Sequence, residues 1–234
     1  MEGTGSAAVA ARVPGAAALG LVLPPGATRV PAERLADPAW TADVLTARAA
    51  WSRTDDRRVL ATVWWYSASA VLVTPPLAGL VTGLPVSGRL ADATLALLAG
   101  DRPVAAECRA GSGGVAEELR DSLAAVVAAV AQAGRMRERP LWAIATDSIA
   151  NRLIALGGAV GDMAGVTALA GPLAAAIGAP LPEPRYDDVG SSRFTRRASC
   201  CLLYRVPGEP VCTSCPRRLP AERRILLEAA AGLW

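Results

Sequence analysis

The chain has 234 residues and a net charge of +3, and 52% of its residues are hydrophobic while only 4% are aromatic. A chain of this length has enough apolar residues for one large domain, or for one domain with a small appendage. Alanine, leucine and valine dominate, which favours helices packed through small side chains. The absence of histidine excludes imidazole-ligated metal sites, and the absence of both histidine and lysine removes two common general bases.

Residues 1–29 are predicted to form a weakly structured N-terminal segment. They include an alanine-rich apolar stretch, but Glu2 precedes any basic residue and the stretch ends at Pro24 and Pro25. A secretory signal needs a basic start, so this segment does not resemble one. The following residues, 31–50, predict short helical turns.

An uncharged run lies between Arg58 and Arg89. The polar residues at 54–56 predict the N-cap of a helix from Arg57 to Val73, which the prolines at 75 and 76 should end, with 77–82 as a continuation. Because the prolines divide the run, neither half reaches the ~20 residues that span a bilayer. The run therefore favours a buried helix over membrane contact. The aromatic group at 64–66 favours core packing over a ligand pocket.

Residues 89–109 predict a small β hairpin that turns at Gly100 and Asp101. Cys108 falls in its second strand, where an unpaired cysteine usually acts as a small buried apolar residue. Three helices with apolar residues at helical spacing are predicted next, at Val115–Ala133, Leu141–Leu156 and Asp162–Ile177. The glycines at 158–165 lack a dinucleotide-binding fingerprint and indicate a connection between helices.

A linker rich in proline and glycine, residues 178–184, leads into a C-terminal module. The module ends in an amphipathic helix over 220–234, with Pro220 in its first turn. The predicted fold class is α+β and mostly helical: a helical domain over 30–184 with a small β element, and a cysteine-rich module over 185–234.

Four cysteines lie within sixteen residues of this module, at Cys200, Cys201, Cys212 and Cys215. Thiolates are soft ligands, and a set of four cysteines selects zinc or an iron-sulfur cluster. Zinc sites with four cysteines usually combine two CxxC loops, and only Cys212 and Cys215 fit that pattern. Adjacent side chains of an extended segment point to opposite faces, so Cys200 and Cys201 reach one ion only through a tight bend. A larger iron-sulfur body relaxes this demand, which favours it over zinc. Thiol–disulfide exchange is the third alternative.

The region from Ser191 to Trp234 holds eight arginines and three glutamates. Charged runs are usually solvated surface, which is the simplest interpretation. Nucleic-acid binding is a second, but no pattern for base recognition accompanies the arginines. The third is electrostatic: cations near a cluster favour its reduced, more negative state, and they attract an acidic electron donor. We favour the third and predict no nucleic-acid partner.

The segment RRASCCLLYRVPGEPVCTSCP, residues 196–216, resembles the C-terminal module of ferric-siderophore reductases of the FhuF type, which has two adjacent cysteines, ten residues and then CxxC. The matching residues beside the cysteines are Arg197, Ser199, Leu202, Tyr204 and Pro216. Residues 59–85 and 139–157 look like two helices of the same family.

The resemblance implies a [2Fe-2S] cluster held by Cys200, Cys201, Cys212 and Cys215, with no catalytic residue separate from these ligands. It implies a cytoplasmic oxidoreductase of iron acquisition that passes one electron to siderophore-bound Fe(III), of hydroxamate type, and releases Fe(II). A ferredoxin or flavin reductase would be the electron donor, and peripheral membrane association stays open. Free cysteines agree with a reducing cytoplasm. The alternatives are a non-enzymatic iron-sulfur redox sensor and a structural zinc module.

Overall fold

The computed structural model describes residues 5–233. The helices are α1 (Gly5–Ala10), α2 (Pro38–Trp51), α3 (Arg57–Thr82), α4 (Val115–Ala133), α5 (Arg139–Val160), α6 (Met163–Ala168), α7 (Ala170–Ile177) and α8 (Pro220–Ala230). The strands are β1 (Thr28–Pro31), β2 (Ala93–Leu98), β3 (Arg102–Cys108), β4 (Tyr186–Val189) and β5 (Ser192–Thr195). Short 3₁₀ helices cover Ala32–Ala36, Leu90–Asp92 and Leu203–Arg205.

Helix α3 is the centre of the core. It begins where the Asp56 side chain accepts hydrogen bonds from the backbone N–H groups of Arg58 and Val59, as the capping residues predicted. The predicted end before Pro75 is wrong, because the helix continues through both prolines to Thr82. Each proline removes one backbone donor and costs about 3 kcal/mol. Both proline side chains are buried in a helix that packs against α5 and β3, and this burial offsets part of that cost.

Helix α5 lies against α3, and polar side chains join the two within the core. The hydroxyls of Ser69 and Ser148 are 2.7 Å apart, and the Trp65 indole N–H donates to the Leu141 carbonyl at 2.9 Å. Trp64 and Trp65 are fully buried, which confirms the predicted core packing for two members of the aromatic group, whereas Tyr66 is only partly buried. These bonds fix the rotation of α3 relative to α5, because each joins one defined pair of positions.

Strands β1, β2 and β3 form an antiparallel sheet in that order. The predicted hairpin is confirmed as β2 and β3, and Cys108 is buried at the end of β3. Strand β1 was not predicted from the sequence. It pairs with β2 in the register Thr28 opposite Leu97.

The N-terminal residues within the described part are well packed, contrary to the weakly structured segment predicted for residues 1–29, of which 1–4 lie outside the described residues. Val9, Val13 and Leu21 join the core. The Ser6 hydroxyl accepts a hydrogen bond from the Cys108 N–H at 2.6 Å, and the Gly20 carbonyl accepts one from the Ala106 N–H at 3.1 Å. The physical reason is that β3 is an edge strand, whose outward N–H groups need partners.

Three other predictions need correction or extension. Residues 31–50, expected to form short turns, include the 14-residue helix α2. The helix predicted over 162–177 is divided into α6 and α7, because Pro172 cannot donate to the carbonyl of Ala168. The hairpin of β4 and β5 was not predicted. Trp234, placed in the C-terminal helix by the sequence, lies outside the described residues, and α8 ends at Ala230.

The predicted fold class is confirmed: the protein is α+β and mostly helical, with two small sheets and a cysteine segment near its C-terminus. Its division at residues 29 and 184 stays a prediction. Over residues 5–233, no helix combines the length and the hydropathy needed to cross a bilayer.

Candidate iron-sulfur site

The four cysteines of the C-terminal module lie together as two pairs. The Cys200 and Cys215 sulfurs are 3.9 Å apart. Cys201 and Cys212 are hydrogen-bonded to each other, and both contact the same guanidinium group. Leu202 adopts the left-handed conformation at φ 59°, which turns the chain immediately after the two adjacent cysteines. The segment therefore brings the four predicted ligands near one another as two pairs.

Arg197 is the cation beside the sulfurs. Its Nη1 lies 3.7 Å from the Cys201 sulfur and 3.6 Å from the Cys212 sulfur, and its side chain is only 4% exposed. The guanidinium carbon lies 4.8 Å from the centre of the Tyr66 ring, a cation–π contact. Arginine is always charged, so a buried positive charge is fixed next to the thiols.

Asp147 connects this arginine and the cysteine segment to α5. One carboxylate oxygen accepts the Ala198 N–H at 2.7 Å, and the other accepts from Arg197 Nε at 3.3 Å. The second oxygen also accepts from the Ser199 N–H and hydroxyl, at 3.3 and 3.4 Å. The Asp147 side chain is 1% exposed. A single carboxylate thus accepts hydrogen bonds from three consecutive residues immediately before the cysteines.

Burial, hydrogen bonds and the charge of Arg197 shift the pKa values of Asp147, Cys201 and Cys212, and not all in the same direction. Burial raises the pKa of Asp147 above its usual value, although hydrogen bonds from Ala198 and the charge of Arg197 oppose that change. A hydrogen bond from Cys212, helped by Arg197, lowers the pKa of Cys201 to about 5 despite burial. The same bond raises the pKa of Cys212. The two thiols therefore titrate as a pair, in which Arg197 favours the thiolate of Cys201.

The second half of the segment is held by Arg218. Its Nε donates to the Cys212 carbonyl at 2.9 Å and its Nη2 to the Val211 carbonyl at 2.6 Å. The Cys215 N–H donates back to the Cys212 carbonyl at 3.2 Å, which closes the turn between the two cysteines. This turn allows Cys215 to lie beside Cys200 while Cys212 lies beside Arg197.

The donor set fits the cluster that the sequence implies. Four sulfur ligands from two short stretches are present, and a buried cation lies beside them. Arg197 Nη2 is buried and has no hydrogen-bond partner among the described residues, so one donor near the sulfurs is left for a further acceptor. The residue types therefore fit the cluster, but the sulfurs remain two separate pairs: within residues 5–233, no three or more cysteine, aspartate or glutamate side chains lie closely enough together to hold a metal ion.

A cavity of about 330 Å³ opens beside Cys200. Cys200 and Ser199 form one wall, Arg58 and Thr62 of α3 form a second, and Arg139 at the start of α5 contributes a third. Cys200 is half-buried, whereas Cys201 and Cys215 are buried. The cavity therefore gives a ligand access to the edge of the sulfur site.

The cysteine segment can now be compared with known families. Residues 197–217 match the family model of the FhuF 2Fe-2S C-terminal domain. This confirms the resemblance of the FhuF-type segment, and the match does not extend over the helical part of the chain. No curated protein and no solved structure gives a match.

Sequence analysis did not identify Asp147 or Tyr66 as part of the FhuF-type site. The signal for Asp147 was available: it is the only acidic residue in the apolar helix α5, and a lone buried carboxylate requires partners. Tyr66 gave no such signal, because it continues an aromatic run that fills the core. Of the eight arginines predicted as a patch, Arg197 contacts the sulfurs, while Arg193, Arg196 and Arg224 form ion pairs with acidic neighbours.

Proposed function

We propose that the protein is a cytoplasmic ferric-siderophore reductase that transfers one electron to chelated Fe(III). The observation that carries this proposal is the convergence of the four cysteines of the FhuF-type segment beside a cavity that reaches Cys200. Cys200, Cys201, Cys212 and Cys215 would hold a [2Fe-2S] cluster, which when bound supplies one-electron chemistry. A ferredoxin or flavin reductase would be the electron donor that reduces the cluster again.

The protein's own residues would act by positioning and by charge. Asp147 and Arg197 hold the cysteine segment on α5, so that the ligands keep a fixed place relative to the cavity. The charge of Arg197 stabilises negative charge on the neighbouring sulfurs, which favours a reduced site. Burial of the arginine strengthens this effect, because water does not screen it.

Release of iron follows from the chemistry of the chelate. Siderophores bind Fe(III) through hard oxygen ligands, and these ligands hold Fe(II) much less strongly. Reduction by one electron therefore converts a tightly held metal ion into a weakly held one. No proton transfer or covalent intermediate on the protein is needed, which agrees with a site that contains neither histidine nor lysine.

The test begins with the full chain reconstituted anaerobically with iron and sulfide. Iron, sulfide and zinc content would be measured together with the visible and electron paramagnetic resonance spectra. A ferric hydroxamate would then be added to the dithionite-reduced protein, free of excess dithionite, with a colorimetric Fe(II) trap. We expect a red-brown protein whose reduced signal disappears as trapped Fe(II) accumulates.

Variants sharpen this test. Each of four substitutions should lower the bound iron and sulfide: Cys200→Ser, Cys201→Ser, Cys212→Ser and Cys215→Ser. Cys108→Ser should leave both unchanged, because Cys108 is buried in β3 and is not part of the segment. A colourless protein loaded with zinc would overturn the proposal in favour of a structural module. A protein that binds the cluster but gives no Fe(II) with any ferric chelate would instead be an iron-sulfur sensor.

A further inference from the structure

A larger cavity adjoins the one beside Cys200. The second cavity has a volume of about 1040 Å³ and shares Arg58, Met136 and Pro140 with the first. Its remaining wall comes from the last turns of α4 and from the connection between α4 and α5. Cavities of about 300–1000 Å³ are typical of small-molecule sites. The two cavities therefore form one groove that ends at a cysteine of the sulfur site.

Four arginines line this groove, and we call the feature the arginine groove: Arg58, Arg135, Arg137 and Arg139. Glu138 is the acidic residue in the same lining. Among the described residues, none of the four guanidinium groups has an ion-pair, hydrogen-bond or cation–π partner. Several arginines elsewhere are paired, as in Arg193 with Asp188 at 2.7 Å, whereas the unpaired ones outside the groove do not line a shared cavity with Cys200. The groove thus concentrates positive charge that the protein itself does not neutralise.

Arg135 occupies a position that suits glycine better. Helix α4 ends in a Schellman motif, in which the Met136 N–H donates to the Ala131 carbonyl at 2.9 Å and the Arg135 N–H donates to the Gln132 carbonyl at 3.2 Å. Arg135 is the left-handed residue of this motif, with φ 49°. A residue with a side chain is less favourable in this conformation than glycine, which has no Cβ atom. An arginine at this position is therefore unfavourable for the helix end itself, and its side chain faces the groove.

We propose that the arginine groove binds the iron chelate and selects chelates that carry net negative charge, an inference that rests on the proposed reductase function. Unpaired guanidinium groups attract carboxylate and other anionic oxygens of a ligand. The same groups repel a cationic chelate. A concave groove of this volume fits a small molecule, whereas a protein partner would require a broad, flatter surface.

The test compares chelates that differ only in charge. Desferrioxamine B, its N-acetyl derivative and its N-succinyl derivative bind the metal through the same hydroxamates and give a cationic, a neutral and an anionic complex. Their gallium(III) complexes would be titrated into the reconstituted full-length protein by calorimetry. Gallium(III) is not reduced under these conditions, so binding is measured apart from electron transfer. We expect the anionic complex to bind most tightly and the cationic one least.

Variants identify the groove as the site. Arg135→Gly should weaken binding of the anionic complex about two- to fivefold while the thermal midpoint stays unchanged or rises, because glycine suits the left-handed position. Arg58→Ala and Arg139→Ala should each weaken binding of the anionic complex to a similar extent. The triple variant that combines these two changes with Arg135→Gly should weaken it further. Arg29→Ala, on the exposed edge strand β1 and outside the groove, is the matched control and should bind as the original protein does.

Three results would overturn the inference. The first is equal affinity for the three complexes. The second is unchanged affinity for the anionic complex in the variant that combines the three arginine substitutions. The third is that this triple variant still binds the chelate but no longer binds an acidic electron-donor protein. The last would assign the groove to the donor. Failure of the proposed function is a separate result: the ferric complexes would not be reduced although the gallium complexes bind in the expected order of charge.

Discussion

The contact between Asp147 and Arg197 is the residue-scale feature on which the position of the cysteine segment depends. Both side chains are almost completely buried, and the carboxylate also accepts hydrogen bonds from two backbone N–H groups. Removing one member of a buried ion pair leaves the other charge without compensation, which costs far more than losing an exposed pair. The pair is therefore structural as well as electrostatic.

Asp147→Asn tests this point. We expect the free energy of unfolding of the metal-free protein to fall by about 3 kcal/mol, because Arg197 keeps a buried charge without its partner. The matched control is Asp188→Asn, whose partner Arg193 forms a largely exposed pair, and this change should cost less than about 1 kcal/mol. Urea unfolding measures both values. Equal losses in the two variants would contradict the buried-pair argument.

Cys108 differs from the other four cysteines in its surroundings. Burial raises its pKa to about 12, so only about one molecule in 10⁵ carries the thiolate at pH 7. The thiolate is the form that alkylating reagents attack. In the reduced, metal-free protein at neutral pH we expect iodoacetamide to leave Cys108 unmodified until urea unfolds the chain, and peptide mass spectrometry reads this directly. Modification of Cys108 at the rate of Cys200 in the folded protein would refute it.

At the scale of elements, helix α3 is shaped by close packing as much as by helical preference. Gly79 lies in its last turns, where a Cβ atom would be 2.7 Å from the Leu84 carbonyl oxygen and 3.0 Å from Val86. The carbonyl belongs to backbone and cannot rotate away. The chain after α3 can thus turn back against the helix only because position 79 has no side chain.

Gly79→Ala should therefore destabilise the protein, by about 1–3 kcal/mol, although alanine is the better helix former. Gly171→Ala in α7 provides the opposite case, because a Cβ there meets nothing within 4 Å. It should leave stability unchanged or raise it by up to about 1 kcal/mol. Thermal unfolding measures the stability of both variants relative to the original protein. A Gly79→Ala protein that is more stable would contradict the packing argument, because it would show that the segment after α3 can move aside.

The elements that could be predicted from the sequence depend on local signals. The Asp56 cap, the apolar spacing of α4 and the turn between β2 and β3 all arise within a few neighbouring residues. The failures involve distant partners. The path of α3 through Pro75 depends on packing against α5 and β3, and Asp147 gains its role from residues fifty positions along the chain. No local pattern contains that information.

At the scale of the whole molecule, the N-terminal residues close the exposed edge of the main sheet. Ser6 and Gly20 accept hydrogen bonds from the Cys108 and Ala106 N–H groups of β3, and the Arg152 guanidinium of α5 donates to the Leu19 carbonyl at 2.7 Å. The segment thus connects the sheet with the helix that carries Asp147. The apolar composition of these residues indicated burial, but it could not indicate which edge they cover.

Deletion of residues 1–22 should expose that edge. We expect hydrogen–deuterium exchange of the Ala106 and Cys108 amides to become at least tenfold faster, because both lose their acceptors. The amide of Leu123, within the buried middle of α4, serves as an internal reference and should change less. Unchanged exchange rates of these two amides would contradict the prediction, because other residues would then accept their hydrogen bonds.

The cavity beside Cys200 has walls from α3, from the start of α5 and from the cysteine segment, which are far apart in the sequence. A ligand that fills it binds only when all three are assembled. By mass action such a ligand stabilises the assembled form, by about 2.7 kcal/mol at a hundred times its dissociation constant. If this ligand is the iron chelate proposed above, its binding would stabilise the assembled sulfur site, so that iron supply and the integrity of that site would be linked.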